Sequence, residues 1–410
     1  MDNAPAHQQE QANAWAGRIS GVGNVLGYLS GYVNLPKLMP FFGNTQFKVL
    51  CVIACLALGS TVLISSLSIR ERDPRLEGPP NQEKMGVLAF FRQVFKSMKR
   101  LPPQIRMVCE VQFFNWIGWF PFLFYITTYI GQLHVNPIFE KNPNMTGAEI
   151  NATWEAATRV GTFALLIFAI TSLVSNILLP FIIVPTYRPP PSPSPSTHNF
   201  RPSTPGTPGT LSASMTSFFP PTPSPESHSR FTRLLSACQI PWLTLRRAWI
   251  LAHILFAICM FLTFFIQTTT AATVLVGVIG VAWALSVWAP FALISAEISK
   301  RDSVRRARNT GRGSGEIDVL ADDQSTDQAG VILGLHNVAI AAPQIIATLV
   351  SSVIFKLAQK PRGVAGDDSV GWVLRFGGLA ALIAAYMTSR LGEEARGKEM
   401  DDDIRDDESV

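Results

Sequence analysis

Charged side chains are scarce. They make up 15% of the 410 residues, where an average soluble domain carries about 25%. A chain of this length could bury a large core, but it has too few charges to cover one with a water-facing surface. The shortage is also uneven: residues 49–69, 160–187, 248–296 and 329–355 contain no Asp, Glu, Lys or Arg. That distribution excludes an ordinary soluble enzyme. Cysteine is sparse as well, with Cys51, Cys55, Cys109, Cys238 and Cys259 the full set, and no CxxC pair or Cys/His cluster has metal-ligand spacing. A small-disulfide framework and a structural metal site are therefore not expected. HExxH, Gly-x-Ser-x-Gly and P-loop signatures are all missing, as are paired aspartates inside the apolar stretches. An ATP-driven pump or an intramembrane protease would lack its chemistry, so neither an enzyme nor a tightly bound cofactor is expected. The segment Met1–Glu10 is polar and has no apolar centre, so no signal peptide is expected.

What the chain has in quantity is uninterrupted apolar sequence. About 20 apolar residues carry a helix across the hydrocarbon layer. Inside that layer every backbone N–H and C=O must be paired within the protein, which selects helices. Eight spans are expected, near 12–33, 47–69, 106–131, 159–185, 247–267, 271–295, 329–355 and 371–389. The 49-residue stretch 248–296 divides at the polar turn Gln267-Thr268-Thr269-Thr270. This is an all-α integral membrane protein. Gly17 and Gly21, and Gly27 and Gly31, form small-xxx-small pairs in the first span, which let a neighbouring backbone approach closely.

The organisation follows from the spans. Residues 1–69 hold two of them, 70–105 form a cytosolic connector, 106–389 hold six, and 390–410 form an acidic tail. The segment 188–230 interrupts the six. Twelve prolines lie between Pro189 and Pro225, with Ser and Thr at most other positions, a composition that predicts disorder. With the N-terminus cytosolic, the inner segments hold 25 of the 34 Lys and Arg and the outer ones 8. By the positive-inside rule both termini are cytosolic. The sequons at Asn144 and Asn151 then fall in an outer loop, as glycosylation requires. The basic residues of 299–328 are placed to meet anionic lipid head groups. Basic residues are scattered over separate loops, so nucleic acid is not an expected partner.

Polar and ionisable groups at membrane depth are costly and mark function by default. Arg18, Glu110 and His336 are the charge-pair or proton-coupling candidates; for Arg18 and Glu110 the alternative is that they snorkel to the inner interface. The third span carries a denser pattern. Gln112, Asn115, Trp116 and Trp119 recur at i, i+3, i+4 and i+7 and share one helix face. Indoles offer stacking surface to the C–H faces of a sugar ring, and carboxamides offer hydrogen bonds to its hydroxyls. The alternative is an interfacial Trp belt with core aromatics behind it. Asn24, Asn337 and Gln344 are further carboxamides at similar depth. Pro121, Pro290 and Pro343 each remove a helical hydrogen bond and predict bends.

Four segments resemble one known family. Gln11-Ala12-Asn13-Ala14-Trp15-Ala16 leading into Gly23-Asn24-Val25-Leu26-Gly27-Tyr28 resembles the fifth transmembrane helix of the sucrose/α-glucoside:proton symporters. Asn115-Trp116-Ile117-Gly118-Trp119-Phe120-Pro121-Phe122 is similar to their seventh-helix motif. Trp288-Ala289-Pro290-Phe291-Ala292-Leu293 and Gly334-Leu335-His336-Asn337-Val338-Ala339-Ile340-Ala341-Ala342-Pro343-Gln344 resemble the tenth and eleventh. The resemblance implies a major-facilitator helix bundle with about eight of the family's twelve helices, the N-terminal four being absent. Thr127-Thr128-Tyr129-Ile130-Gly131, where plant members carry aspartates, gives it a fungal character.

The resemblance implies secondary active transport of sucrose, maltose or another α-glucoside with protons, with the lipid bilayer, the sugar and protons as partners. Trp116 and Trp119 would stack on the sugar, while Gln112, Asn115, Asn24, Asn337 and Gln344 would bind hydroxyls. The plasma membrane is the implied location, with the vacuolar membrane the alternative. Major facilitators bind substrate between two halves. A lone six-span half is expected to turn Gln112 and Asn115 toward lipid without partners unless a second subunit covers them. The competing reading is a non-transporting sensor or regulatory partner of a full-length sugar carrier, or an inactive truncated product.

Overall fold

The computed structural model describes residues 6–68, 87–184, 239–310 and 330–391. The Pro/Ser-rich segment 188–230 and the tail beyond residue 391 lie outside the described residues. Helices α1 (Ala6–Tyr32) and α2 (Gln46–Ser68) come first, joined through a single helical turn at Leu35–Leu38 and a 3₁₀ turn at Pro40–Phe42, and a short α3 (Val87–Arg100) follows. The remaining six are α4 (Pro103–Lys141), α5 (Gly147–Ile182), α6 (Leu245–Leu262), α7 (Thr269–Thr310), α8 (Gly330–Ala358, with a break at Ala342) and α9 (Ser369–Arg390). No strand occurs among the described residues; Val184 and Thr244 make one isolated bridge.

Among the described residues, six helices are long and apolar enough to cross a membrane: α2, α5, α6, α7 through Ile298, α8 and α9. The chain is a multi-pass membrane protein. The other two expected spans are also continuous helices, of 27 residues in α1 and 39 in α4. Their apolar character is diluted by glycine and amides in α1, and by indoles, amides and proline in α4.

Helix α4 is the centre of the bundle and touches α5, α7, α8 and α9. It runs unbroken through Pro121 and Pro137. It crosses α9 at paired glycines. A Cβ on Gly118 would sit 2.6 Å from the Gly377 carbonyl oxygen, and one on Gly377 would sit 2.8 Å from that of Gly118. Around this crossing Trp119, Phe122 and Phe256 are fully buried, with Phe168 packed on Phe122. Helix α1 lies along α5, but each expected glycine pair contributes one contact only. Gly21 meets Leu173 and Gly31 meets Thr162, while Gly17 and Gly27 face open space.

Between α4 and α5 the expected long outer loop is replaced by a short turn. Helix α4 continues to Lys141, and α5 begins at Gly147 with a capping box: the Thr146 hydroxyl accepts from the Glu149 backbone N–H while the Glu149 carboxylate accepts from the Thr146 backbone N–H. Such reciprocal caps fix helix starts. The sequon at Asn144 lies in this exposed turn, whereas Asn151 sits exposed inside the second turn of α5.

Two polar devices hold helix ends. The Gln46 amide donates to the carbonyls of Ser30 and Val33, at 3.0 and 2.8 Å, and accepts from the Leu35 N–H at 3.1 Å, so one side chain at the start of α2 satisfies the last turn of α1. Beyond that clamp α2 is almost bare, with 6% of its apolar window buried. At the opposite end of the chain, Arg375 interrupts the apolar run of α9, yet it is 4% exposed. Its guanidinium donates to both carboxylate oxygens of Asp368, to the Thr263 hydroxyl and to the Thr263 carbonyl at the end of α6. It also lies 3.8 Å from the centre of the Phe264 ring.

Candidate functional site

Helix register brings the polar face of α4 inward. Gln112 and Asn115, each 1% exposed, are one turn apart, and Asn115 Nδ2 donates to Gln112 Oε1 at 3.0 Å. That bond leaves the Gln112 amide nitrogen directed at His336 Nε2, 3.5 Å away on α8. With the amide donating, the ring nitrogen accepts and the imidazole proton resides on Nδ1. His336 is itself 1% exposed and packs edge-on against Phe291 at 4.8 Å. The expectation that these amides would face lipid without partners is therefore corrected. Helices α5, α7, α8 and α9 pack against α4, so the face is interior, and Asn115 and Gln112 bond to each other.

The network is incomplete in one direction. Asn115 Oδ1 and Trp116 Nε1 are buried and have no hydrogen-bond partner. Burying a polar atom without a partner costs about 1–3 kcal/mol in proteins, so an acceptor and a donor are left one residue apart where hydroxyl groups would satisfy both. The indoles differ in their surroundings. Trp116 is half-buried and meets Phe120 at 5.2 Å and Trp283 at 6.0 Å. Trp119 is 1% exposed, enclosed by Phe256 at 4.2 Å and Trp283 at 4.9 Å, and its Nε1 donates to Ser286 Oγ at 3.2 Å.

The other candidates lie elsewhere. Asn24 is exposed on α1, and Asn337 and Gln344 are exposed on α8. Residues 336 and 337 are neighbours in sequence, but a helix turns about 100° between them, so His336 points inward and Asn337 outward. Glu110 is exposed and pairs with Arg106 at 3.4 Å, one turn before it on the same helix. Arg18 is half-buried with its guanidinium 5.2 Å from the Trp15 ring. Neither joins the amide–imidazole cluster. Sequence reasoning missed Trp283 and Ser286, which share a face of α7 at i, i+3. Their signal was an indole and a hydroxyl within a charge-free stretch, and nothing local ties them to Trp119.

A separate groove of about 400 Å³ is lined by Phe261, Phe264, Leu357, Trp372, Arg375 and Leu379 among others. Its one charged lining residue is Arg375, whose guanidinium is already engaged by Asp368 and Thr263, and the rest of the lining is aromatic and aliphatic.

Comparison with known proteins agrees with the multi-pass helical architecture. No family model matches the chain. A general alpha-glucoside permease of Schizosaccharomyces pombe is 35% identical over 95% of the chain, which covers 69% of the permease's length. The chain belongs to the α-glucoside/sucrose transporter family. An MFS-type transporter, cctQ, of Talaromyces islandicus is 33% identical over 42% of the chain and 62% of its own length. The rice sucrose transport protein SUT3 is 31% identical over 43% of the chain and 36% of its own length. The chain thus spans from about a third to about two thirds of these relatives. All three are transporters by name and none is an enzyme. Membership of this family agrees with the helical architecture.

Proposed function

We propose that this α-glucoside/sucrose transporter family member moves an α-linked disaccharide such as maltose or sucrose together with protons. The observation that carries the reading is the buried chain Asn115–Gln112–His336, which leaves Asn115 Oδ1 without a partner; the indole N–H of the next residue, Trp116, has none either. A sugar hydroxyl can donate to Asn115 Oδ1, a second can accept from Trp116 Nε1, and the indole edge at Trp116 and Trp283 supplies apolar surface for the ring C–H groups. Trp119, with no open face, positions Trp283 through shared packing and its bond to Ser286.

The same chain supplies a route for proton coupling. Protonated His336 donates from Nε2, so the Gln112 amide must turn its oxygen to the ring. Gln112 Nε2 then faces Asn115, whose own amide turns to accept, and Nδ2 replaces Oδ1 at the sugar. One proton on His336 thereby exchanges an acceptor for a donor at the substrate. Asn24, Asn337 and Gln344 remain candidates for contacts to sugar hydroxyls, and Arg18 and Glu110 for charge pairing. Both termini are assigned to the cytosol and the protein to the plasma membrane; the 25-to-8 distribution of basic residues supports the orientation.

Uptake of labelled maltose and sucrose into a transporter-deficient yeast tests the proposal. Accumulation above vector that collapses with a protonophore is the expected result. A surface-expressed protein with no uptake refutes it. A second reading, in which the chain serves as partner of a full-length carrier, is favoured by the exposed intramembrane amides Asn24, Asn337 and Gln344. Co-purification with a twelve-helix relative, and no uptake alone, would support that reading.

A further inference from the structure

Helix α3 is unlike the other helices. Its sequence, Val87 to Arg100, is apolar at positions 87, 88, 90, 91, 94, 95 and 98, and it carries Arg92, Lys96, Lys99 and Arg100 with no Asp or Glu. At 100° per residue the apolar positions share one arc of the helix and the four cations lie in the opposite one. Fourteen residues make a helix of about 21 Å, too short for a hydrocarbon layer of about 30 Å.

The position of α3 is set by its neighbours. Val94 and Met98 pack, partly buried, against the main core, and Leu101 is buried just beyond the helix. Only Leu101 and Pro102 separate α3 from the start of α4 at Pro103. The helix is therefore held at the end of the bundle where α4 leaves the water. On its free flank Phe95 is 68% exposed, and Arg92, Lys96, Lys99 and Arg100 are exposed as well. In water, a bare phenyl ring beside four cations gains nothing. At a lipid boundary the ring enters the acyl region while the basic side chains reach up to the head groups.

We propose that α3 lies in the plane of the membrane as an anchor for anionic phospholipid. Phe95 is seated among acyl chains, and Arg92, Lys96, Lys99 and Arg100 engage phosphate and carboxylate groups of the surrounding lipid. The inference rests on the chain's spanning the membrane and is independent of which solute it carries. Opposite charge identifies the occupant: a zwitterionic surface offers these cations no net attraction, whereas an anionic one attracts each of them within a Debye length.

The test uses the full chain in vesicles, with its native cysteines replaced by Ala or Ser and a single fluorophore placed by Phe95→Cys, Lys96→Cys or Leu379→Cys. Leu379 is an exposed residue midway along α9. Expected results are quenching of the residue-95 label by nitroxide near the top of the lipid acyl chain, and quenching of the residue-96 label by iodide in the water. At equal mole fraction, nitroxide-labelled phosphatidylserine should quench residue 95 more than labelled phosphatidylcholine. That preference should vanish at high salt and in the variant Arg92→Gln, Lys96→Gln, Lys99→Gln, Arg100→Gln. Equal quenching by the two lipids, or iodide access to residue 95, overturns the proposal. The residue-379 label separates the two possible failures. If it is quenched by a deep nitroxide while residue 95 is not, the anchor alone is wrong; if it is not quenched, the spanning arrangement itself is wrong.

Discussion

Replacing Arg375 and Asp368 separately asks which member of a buried ion pair the fold depends on. The guanidinium is nearly sealed, whereas the Asp368 side chain is 55% exposed. Arg375→Met keeps the apolar stem and removes four hydrogen bonds and the contact with Phe264. The carboxylate it releases is rehydrated, and the Thr263 carbonyl keeps its bond from the Tyr129 hydroxyl at 3.2 Å. The desolvation cost of the guanidinium disappears with it. The net loss is then one bond from a charged group plus a cation–π contact, about 1–3 kcal/mol. Asp368→Asn leaves the cation buried and takes its counter-charge away, a change that costs about 3–5 kcal/mol when both partners are buried. Because half of this carboxylate faces solvent, the lower end of that range applies. The expected order is unusual: the substitution at the exposed residue destabilises more than the one at the buried residue, and the double variant resembles Arg375→Met. Thermal unfolding in detergent, followed by the folded fraction on size exclusion, measures all three. If Asp368→Asn is neutral while Arg375→Met is severe, the carboxylate contributes nothing and the reasoning fails.

Other perturbations address the site and its frame. Gln112→Ala and Asn115→Ala should each raise the KM for maltose about tenfold or more, the cost of removing one buried polar partner, with surface expression kept as a control. Trp283→Leu should weaken sugar uptake while Trp283→Phe retains most of it, since a ring rather than an N–H is required there; equal loss in both would refute the packing role. Gly118→Val should destabilise the bundle by about 3 kcal/mol, the upper end for overpacking, because the obstructing atom is the Gly377 backbone carbonyl and cannot rotate aside; detergent melting checks it. Expressed in a eukaryotic cell, Asn144→Gln should abolish most glycan-dependent gel retardation and Asn151→Gln little of it, because the first sequon lies in an exposed turn and the second in a helix.

Much of the architecture could be read from the charge-free runs, since apolar length and backbone pairing leave a membrane chain few choices. Helix ends were harder. The capping box at Thr146 and Glu149 starts α5 twelve residues before its apolar run would, because polar helix outside the lipid carries no hydropathy signal. At the site, Gln112 and Asn115 were legible as a pair because their spacing alone places them on one face. His336 was legible as a buried candidate, but its meeting with Gln112 across 224 positions was not. Ser286 was invisible for the same reason: its partner Trp119 is 167 residues away, and no local pattern encodes that distance. Asn337 and Gln344 illustrate the converse, with composition giving the right chemistry and helix phase turning it outward.

The bareness of α2 has a mechanical consequence. Its 23 residues make a rod of about 35 Å, slightly longer than the oily layer it crosses, and a rod so little braced by protein adjusts by leaning. Gln46 fixes only its foot. In a thicker membrane α2 should stand upright and in a thinner one recline, so this helix would register bilayer thickness while the six-helix body beside it keeps its shape.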